Sequence, residues 1–310
     1  MNTIIALIAT FLLGYTAQRF GICMVRATRN TLKGNPNLLV AILLSGAWVW
    51  LYSITAYFND WTLPFERYAL HPVFIFGGLL FGVGASINQG CSISTMNKLA
   101  KGHVGMLLTI MGWFIGWSIW AQIRVQSGFN IEYKKEATLG LMYTLGVSVS
   151  VLIVTAIFVI RFKPPIKLML GVLCIGLLAS LLFYLEPNWP PSHLMNDMGN
   201  AVLHGQEMPS YLRMGIVVGM LIGMWVAVFV NHNARLRFPR WRSAVRFLVA
   251  GSMMGVGAGM ALGGNDTQLL FGIPATSPGA LSAILFMFIG IVCEQLLYQR
   301  GAVFYRKSLS

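Results

Sequence analysis

Two of the four cysteines, Cys23 and Cys91, come just after a glycine at the end of an apolar stretch. A thiol in such a place can donate a weak hydrogen bond, bind a metal ion or act as a nucleophile. No CxxC pair occurs and the five histidines are scattered, so the sequence predicts no metal site and no cofactor. A nucleophile also needs a base within hydrogen-bond reach, and the histidine nearest to Cys91 in sequence, His103, is twelve residues away.

The glycine-rich stretch before Cys91 occurs a second time in the chain. Residues 78–90 read GLLFGVGASINQG and residues 251–263 read GSMMGVGAGMALG, with six identities at a constant offset of 173. Glycines at four-residue spacing let helices pack closely. Packing alone does not explain why polar residues follow both copies.

Those polar residues predict a break in each of the two helices. The first copy ends at Gly90 and continues with Cys91 and Ser92, whereas the second continues with Gly264 and Asn265. A short helix that restarts inside the protein presents unpaired backbone N–H groups, which favour an anion. We therefore expect these five residues to form a binding or translocation site. Four side chains are candidates for the helix caps: Ser92, Ser94, Asn265 and Asp266.

Composition places these breaks in a membrane protein. Only 10% of the residues are charged and 56% are hydrophobic, whereas a soluble domain carries about 25% charged residues. Nine stretches approach the roughly 20 apolar residues that a helix needs to cross a bilayer. They are 3–20, 38–57, 72–87, 103–123, 137–160, 166–185, 211–230, 244–262 and 280–297. The sequence predicts an all-α integral membrane protein with about nine transmembrane helices and broken or re-entrant segments, such as the short apolar LLFGIP (269–274).

Charge distribution predicts the orientation in the plasma (inner) membrane. Most of the 22 basic residues fall in loops on one side and most of the nine acidic residues fall on the other. Because Lys and Arg concentrate on the cytoplasmic side, we expect the N-terminus outside and the C-terminus inside. The net charge of +13 is then mainly a consequence of topology, and the lipid bilayer is the expected partner of the chain. No nucleic-acid-binding motif accompanies it.

This orientation makes the two glycine repeats inverted copies of each other, since the third span runs inward and the eighth runs outward. Transporters commonly have such repeats, with a site near the bilayer midplane. We expect one transporter domain over residues 1–310, with repeat halves at about 1–125 and 137–297. The repeat favours transport over enzyme catalysis.

Further motifs point to a family. The segments are GYTAQRFGICMVRATRN (14–30), GGLLFGVGASINQGCSISTMNKLAKGHVG (77–105), GIVVGMLIGMWVAVFVNHNARLRF (215–238) and the second glycine repeat. Together they resemble the YeeE/YedE family of membrane sulfur transporters over most of the chain. The Q-R-x-x-x-C and G-x-G-x5-G-C elements are fairly specific in combination.

The resemblance implies import of thiosulfate or a related sulfur anion along a route lined by cysteines from both halves. It matches Cys23 and Cys91 to family cysteines, whereas Gly264 stands where the second repeat would carry one. A thiol can donate a weak hydrogen bond to the terminal sulfur of thiosulfate, and weak binding permits release. The family also implies a cytoplasmic sulfur-carrier protein as a partner.

Three other residues are candidates for the route. Gln18 and Arg19 can touch an anion at the inner mouth, although Arg19 is also an ordinary cytoplasmic-side arginine. Glu294 lies inside the ninth span and is a candidate coupling group, a proton site or a partner of Arg300.

Two rival functions stay open. One is a permease for another small solute on the same fold, which Gly264 and Asn265 favour. The other is a membrane sulfur transferase that carries a persulfide on Cys91. The chain has no G-x4-G-K-[ST] loop, so direct ATP drive by these residues is not expected.

Overall fold

The computed structural model describes residues 2–58, 66–126, 133–136, 141–205, 207–232 and 234–307. Its α-helices are α1 (Asn2–Phe20), α2 (Met24–Leu32), α3 (Asn37–Phe58), α4 (Pro72–Ile87), α5 (Ser92–Ala100), α6 (Met106–Gln126), α7 (Leu141–Phe162), α8 (Ile166–Leu185), α9 (Pro191–His204), α10 (Tyr211–Val230), α11 (Trp241–Met260), α12 (Asn265–Thr267) and α13 (Pro278–Lys307). A π-helical turn, Gln268–Gly272, follows α12 directly. Two short strands are β1 (Arg67–Tyr68) and β2 (Lys135–Glu136).

Each of the nine predicted spans coincides with a helix, as α1, α3, α4, α6, α7, α8, α10, α11 and α13. Among the described residues, only the span ends at 103–105 and 261–262 are not helical. The start of the fifth stretch, 137–140, lies outside the described residues. Seven helical segments are long and apolar enough to cross a membrane, and two further apolar segments, Asn37–Gly46 and Val149–Phe162, belong to α3 and α7. The prediction of an all-α, multi-pass integral membrane protein is confirmed.

The loops gather at two ends of the helix bundle. At one end, β1 pairs antiparallel with β2, with Arg67 opposite Glu136; we call this the strand end. At the other, His103 and Arg237 form an isolated bridge, and we call this the basic end. In each case, the two joined segments are ones that the sequence assigned to the same side of the membrane.

The two glycine-repeat helices cross each other in opposite directions. Gly77 of α4 lies against Met260 of α11, and Gly84 lies against Ala250. Residue numbers increase along α4 in these contacts while the residue numbers of their partners in α11 decrease, so the two helices are antiparallel. The two copies are thus inverted relative to each other, as the repeat predicted.

Each repeat helix also packs against one further helix through its glycines, α4 on α13 and α11 on α6. The approaches are Gly78 on Ala283, Gly82 on Met287, Gly251 on Thr109 and Gly255 on Trp113. A Cβ at any of these glycines would come within 2.3 Å of a backbone oxygen. Small residues at such seams let transmembrane helices approach to van der Waals contact. The same relation holds for α1 and α10, where Gly14 lies against Met220 and Gly223 lies against Phe11.

The helix α9 is absent from the sequence prediction. Its 14 residues start with Pro191 at the first turn, where proline is well tolerated, and bury Leu194 and Ala201 against the bundle. It packs on α6, α10 and α12. Its mixed polar and apolar sequence gives no span signal, yet it covers the second break.

Candidate functional site

The first break separates α4 from α5. Gln89 has the left-handed φ of 59°, a conformation that costs free energy in a residue other than glycine. The Asn88 side chain offsets the lost helix bonds, since its amide donates to the Gly90 carbonyl (2.9 Å) and to Thr95 Oγ1 (2.8 Å). Its oxygen accepts a hydrogen bond from Thr109 Oγ1 (2.8 Å). This network holds the break in a defined shape.

The second break repeats this backbone geometry. Leu262, the equivalent of Gln89, has a φ of 58°. Gly264 has φ −77° and ψ −173°, close to the −75° and −176° of its equivalent, Cys91. Both residues occupy the cap position directly before a restarting helix.

The predicted caps are therefore wrong. Cys91 and Gly264 hold the cap positions, and neither makes a side-chain cap hydrogen bond. Ser92 instead donates across the centre of the protein to Asn265 Oδ1 (2.7 Å) and Asp266 Oδ1 (3.0 Å). The contact between the two breaks thus takes the hydroxyl that local capping would have used.

Cys23 and Cys91 are brought together by the fold. Cys23 directly precedes α2 in an extended conformation, as Cys91 precedes α5. The two thiols lie close enough to interact with each other, and the Ser94 side chain lies beside Cys23. Both cysteines are buried, with 7% and 2% of their surfaces exposed. Two nine-residue helices therefore direct their N-termini, the positive ends of their dipoles, towards one pair of thiols.

A small cavity of ≈ 40 Å³ lies beside Cys91, between the two breaks. Asn265 and Asp266 belong to its wall, but the surface of the cavity is almost wholly apolar, with residues such as Leu13 and Ile175. This volume holds a few water molecules. The structure is thus closed at the centre to anything larger.

A wider vestibule of ≈ 520 Å³ opens at the strand end. Charged groups of both signs line it, including Glu66 and Arg124, and His193 also lies in its wall. Trp117 and Trp120 form part of its wall. Polar residues that reach it from the second break and α9 are Asn196, Asn200, Thr267 and Gln268.

The sequence suggests Asp266 only as a helix cap, whereas in the structure its carboxylate contacts Ser92 of the other break. It is 2% exposed, and it accepts hydrogen bonds from Ser92 and, at Oδ2, from Ser192 Oγ (3.3 Å). No salt bridge joins it to a cation among the residues that the structure describes. An acid inside an apolar stretch is itself a functional signal, and that signal was present in the sequence.

The other predicted site residues lie outside the cavity wall. Gln18 is buried beside Ala17, which lines the cavity, whereas Arg19 is exposed and reaches towards Asn231. Glu294 on α13 accepts a hydrogen bond from Ser86 on α4. The side chain of Arg300, its alternative partner, lies outside the described residues.

His103 does not serve Cys91 as a base. It lies at the basic end, and the whole of α5 separates it from the thiol. Burial lowers the pKa of His103, and the nearby Arg237, Lys98 and Lys101 lower it further. Among the described residues, the titratable group that interacts most strongly with the Cys91 side chain is Cys23.

Comparison with known proteins agrees with this arrangement. A family described as "Sulphur transport" matches the chain twice, over residues 19–163 and 155–293, so that each match contains one break. The thiosulfate transporter TsuA of Spirochaeta thermophila is 24% identical over 92% of this chain and 95% of its own length. The chain therefore belongs to the sulphur transport family, the YeeE/YedE family that its motifs resemble, and is a membrane transporter of sulfur compounds.

Proposed function

We propose that this protein imports thiosulfate, or a sulfur anion of similar size, past Cys91 and Cys23. The observation that carries the proposal is the contact between these two buried thiols at the N-termini of α2 and α5. The similarity to a thiosulfate transporter along nearly the whole chain supports the choice of substrate.

The chemistry of the site suits brief binding of a soft anion. Backbone N–H groups at the two helix N-termini favour negative charge, while each S–H group donates a weak hydrogen bond to the terminal sulfur. A fixed cation at this point would hold the ion too strongly for passage. Because the thiols touch, the anion passes from Cys91 to Cys23 without leaving the donors.

Positive charge lies beyond Cys23, towards the basic end. Lys98 donates to the carbonyl of Gln89 (2.8 Å) and is close enough to interact electrostatically with both thiols and with Arg29. The Arg26 guanidinium donates a hydrogen bond to the carbonyl of Gly21. We assign this end to the cytoplasm, with the N-terminus outside and the C-terminus inside the inner membrane. The anion then moves from the vestibule through the breaks and the thiols towards these cations.

The basic end also offers a surface to the partner that the family resemblance implies. Its exposed arginines are Arg235, Arg237, Arg240, Arg242 and Arg246. A cytoplasmic sulfur-carrier protein that receives the imported sulfur compound would meet the route at this face.

A second candidate function is a permease for another small solute on the same fold. The Asp266 carboxylate beside the cavity favours it, since a fixed negative charge opposes an anion. A sulfur transferase that uses Cys91 is less well supported, because a nucleophilic thiol needs a nearby base and Cys91 contacts another thiol instead.

The test is uptake of labelled thiosulfate by cells that lack their own importers of sulfur anions. Cys91→Ala and Cys23→Ala each remove a donor to the anion, so we expect uptake to fall by about tenfold, the effect of one hydrogen bond. Matched controls are Cys174→Ala and Cys293→Ala, since both of these cysteines are exposed on the helix surface. They should transport like the wild type at equal membrane expression. Wild-type protein that takes up no thiosulfate would favour the second candidate.

A further inference from the structure

We propose that Asp266 carries a proton together with the anion, so that this protein couples sulfur-anion import to proton influx. The inference rests on the proposed function, because it takes the cargo to be an anion. Asp266 is then a coupling residue beside the route, distinct from the thiols that touch the cargo.

The carboxylate lies in a place where a permanent negative charge is costly. It is 2% exposed, and its described hydrogen-bond donors are the neutral side chains of Ser92 and Ser192. An ionised group buried without a cationic partner is destabilised by several kcal/mol. It also lines the cavity that the anion must enter beside Cys91, where its charge would repel the cargo. Protonation removes both penalties.

Few ionisable groups face this carboxylate. The elements packed against α12 are the π-helical turn, α5 and α9. The turn has no ionisable residue, and Lys98 of α5 is engaged with the Asn88 and Gln89 carbonyls at the end of α4. The ionisable residues of α9 are His193, which lines the vestibule, Asp197, which pairs with Arg213 at 2.7 Å, and His204 at its last residue. The thiol of Cys91 shares the cavity wall.

A chain of hydroxyl groups connects the vestibule to Asp266. Thr267 lines the vestibule, and its Oγ1 lies 2.7 Å from Ser192 Oγ. Ser192 donates to one carboxylate oxygen, and Ser92 donates to the other. A hydroxyl can donate and accept at the same time, so the chain can pass a proton from the vestibule to the carboxylate. The anion has no such path, and it reaches the cavity only when the breaks open.

The same geometry explains the absent cysteine of the second repeat. A Cβ built on Gly264 would lie 2.7 Å from Asp266 Oδ1. The carboxylate thus occupies space that a cysteine would need. We infer that this chain has a proton site at the position where the family pattern has a thiol.

The residues around Asp266 favour a proton over a metal cation, because the described part of the chain brings no three His, Cys, Asp or Glu side chains together. Ser92 lies 2.7 Å from Asn265 Oδ1 and 3.0 Å from Asp266 Oδ1, as in ordinary hydrogen bonds. In the cycle, Asp266 gains a proton from the vestibule and the anion enters. Both are then released at the basic end, so one proton and one anion cross together.

The test uses the purified full chain in liposomes, with labelled thiosulfate outside, a pH-sensitive dye inside, and potassium with valinomycin to hold the membrane potential at zero. For the wild type, an acidic exterior should stimulate uptake, and added thiosulfate should acidify the interior. Asp266→Asn keeps the shape and the Ser92 contact but cannot lose or gain a proton. It should still transport thiosulfate, with neither stimulation nor acidification. Glu136→Gln, at a surface ion pair with Arg67, is the matched acid-to-amide control and should keep both responses.

Each alternative outcome is distinct. Wild-type uptake without acidification, or acidification that persists in Asp266→Asn, overturns the inference and leaves the proposed function standing. Coupling that is lost in Glu294→Gln instead, or that requires a sodium gradient, also overturns it. Absence of wild-type thiosulfate uptake overturns the proposed function and the inference together. If Asp266→Asn does not reach the membrane, Ser192→Ala interrupts the hydroxyl chain and should reduce the stimulation by acid, and an unchanged response contradicts the inference.

Discussion

The hydroxyl of Ser92 donates a hydrogen bond of 2.7 Å to the side-chain oxygen of Asn265, its own equivalent 173 residues later in the chain. Two equivalent residues can touch only where the axis that relates the repeats passes between them. The two helix breaks therefore meet at the centre of the protein rather than forming separate sites. Each half contributes one wall of a shared route.

Removal of the Ser92 hydroxyl should damage this centre. In Ser92→Ala, the buried oxygens of Asn265 and Asp266 lose a donor, which costs about 1–3 kcal/mol. We expect a lower melting temperature in detergent and reduced thiosulfate uptake. The control is Ser252→Ala, because that hydroxyl donates to the carbonyl of Leu248 on its own helix and to no other described residue. Equal effects of the two changes would contradict a specific contribution of the contact between the breaks to stability and uptake.

The glycine seams should tolerate no side chain. Alanine at Gly82 would place its Cβ 2.1 Å from the Met287 carbonyl oxygen, and alanine at Gly255 would place it 2.3 Å from that of Trp113. The helices must then separate, and overpacking of this kind typically costs about 1–3 kcal/mol. We expect less folded protein in the membrane, measured by fluorescence-detected gel filtration. Gly146→Ala is the control, since no atom of the described residues is found within 4 Å of its Cβ position. Normal yields for the two seam variants would contradict the packing described for α4 and α11.

Restoring the family cysteine should uncouple transport from the pH gradient. In Gly264→Cys, the new Cβ displaces the Asp266 carboxylate and disturbs the hydroxyl chain. Thiosulfate uptake should persist while its stimulation by an acidic exterior is lost. Gly264→Ala makes the same steric change without a thiol, so it should show the same loss. Full stimulation in both variants would mean that Gly264 and Asp266 are independent.

The contribution of the strand end to the stability of the fold should depend on pH through Glu66. Burial alone would raise the pKa of Glu66, but its hydrogen bonds from Lys135 and Tyr68 outweigh that effect and hold the pKa below its usual value. Such a carboxylate stabilises the fold fully above the usual glutamate pKa, and this contribution disappears as the pH falls through the folded value. The melting temperature of the wild type should therefore exceed that of Glu66→Gln at neutral pH, and the gap should close as the pH falls below the usual glutamate pKa and through the lowered folded value.

The control for this measurement is Glu186→Gln, since Glu186 forms no salt bridge among the described residues. Its melting temperature should follow the wild type across the same range. A gap for Glu66→Gln that stays constant with pH would contradict the assigned hydrogen bonds.

Much of this fold was predictable because it depends on local sequence. Long apolar runs fixed the nine spans, and identical glycine registers at 78–90 and 251–263 predicted two inverted breaks. The candidate thiols followed from the family motifs, and the structure then brought Cys23 against Cys91.

The rest depends on contacts between distant parts of the chain. The caps were wrong because Ser92 bonds to residues of the other repeat. The hydrogen-bond partners of Asp266 were not predictable, because Ser192, one of its donors, belongs to α9, a helix without an apolar run. No local pattern links residues 74 positions apart.

The central claim is that thiosulfate crosses this protein past Cys91. The most direct measurement is uptake of labelled thiosulfate by liposomes that contain only the purified chain, comparing the wild type, Cys91→Ala and Cys293→Ala. The account predicts uptake by the wild type and Cys293→Ala, and a fall of about tenfold or more for Cys91→Ala. Equal uptake by all three proteins would contradict a route through the thiols, and absence of uptake by the wild type would contradict the substrate itself.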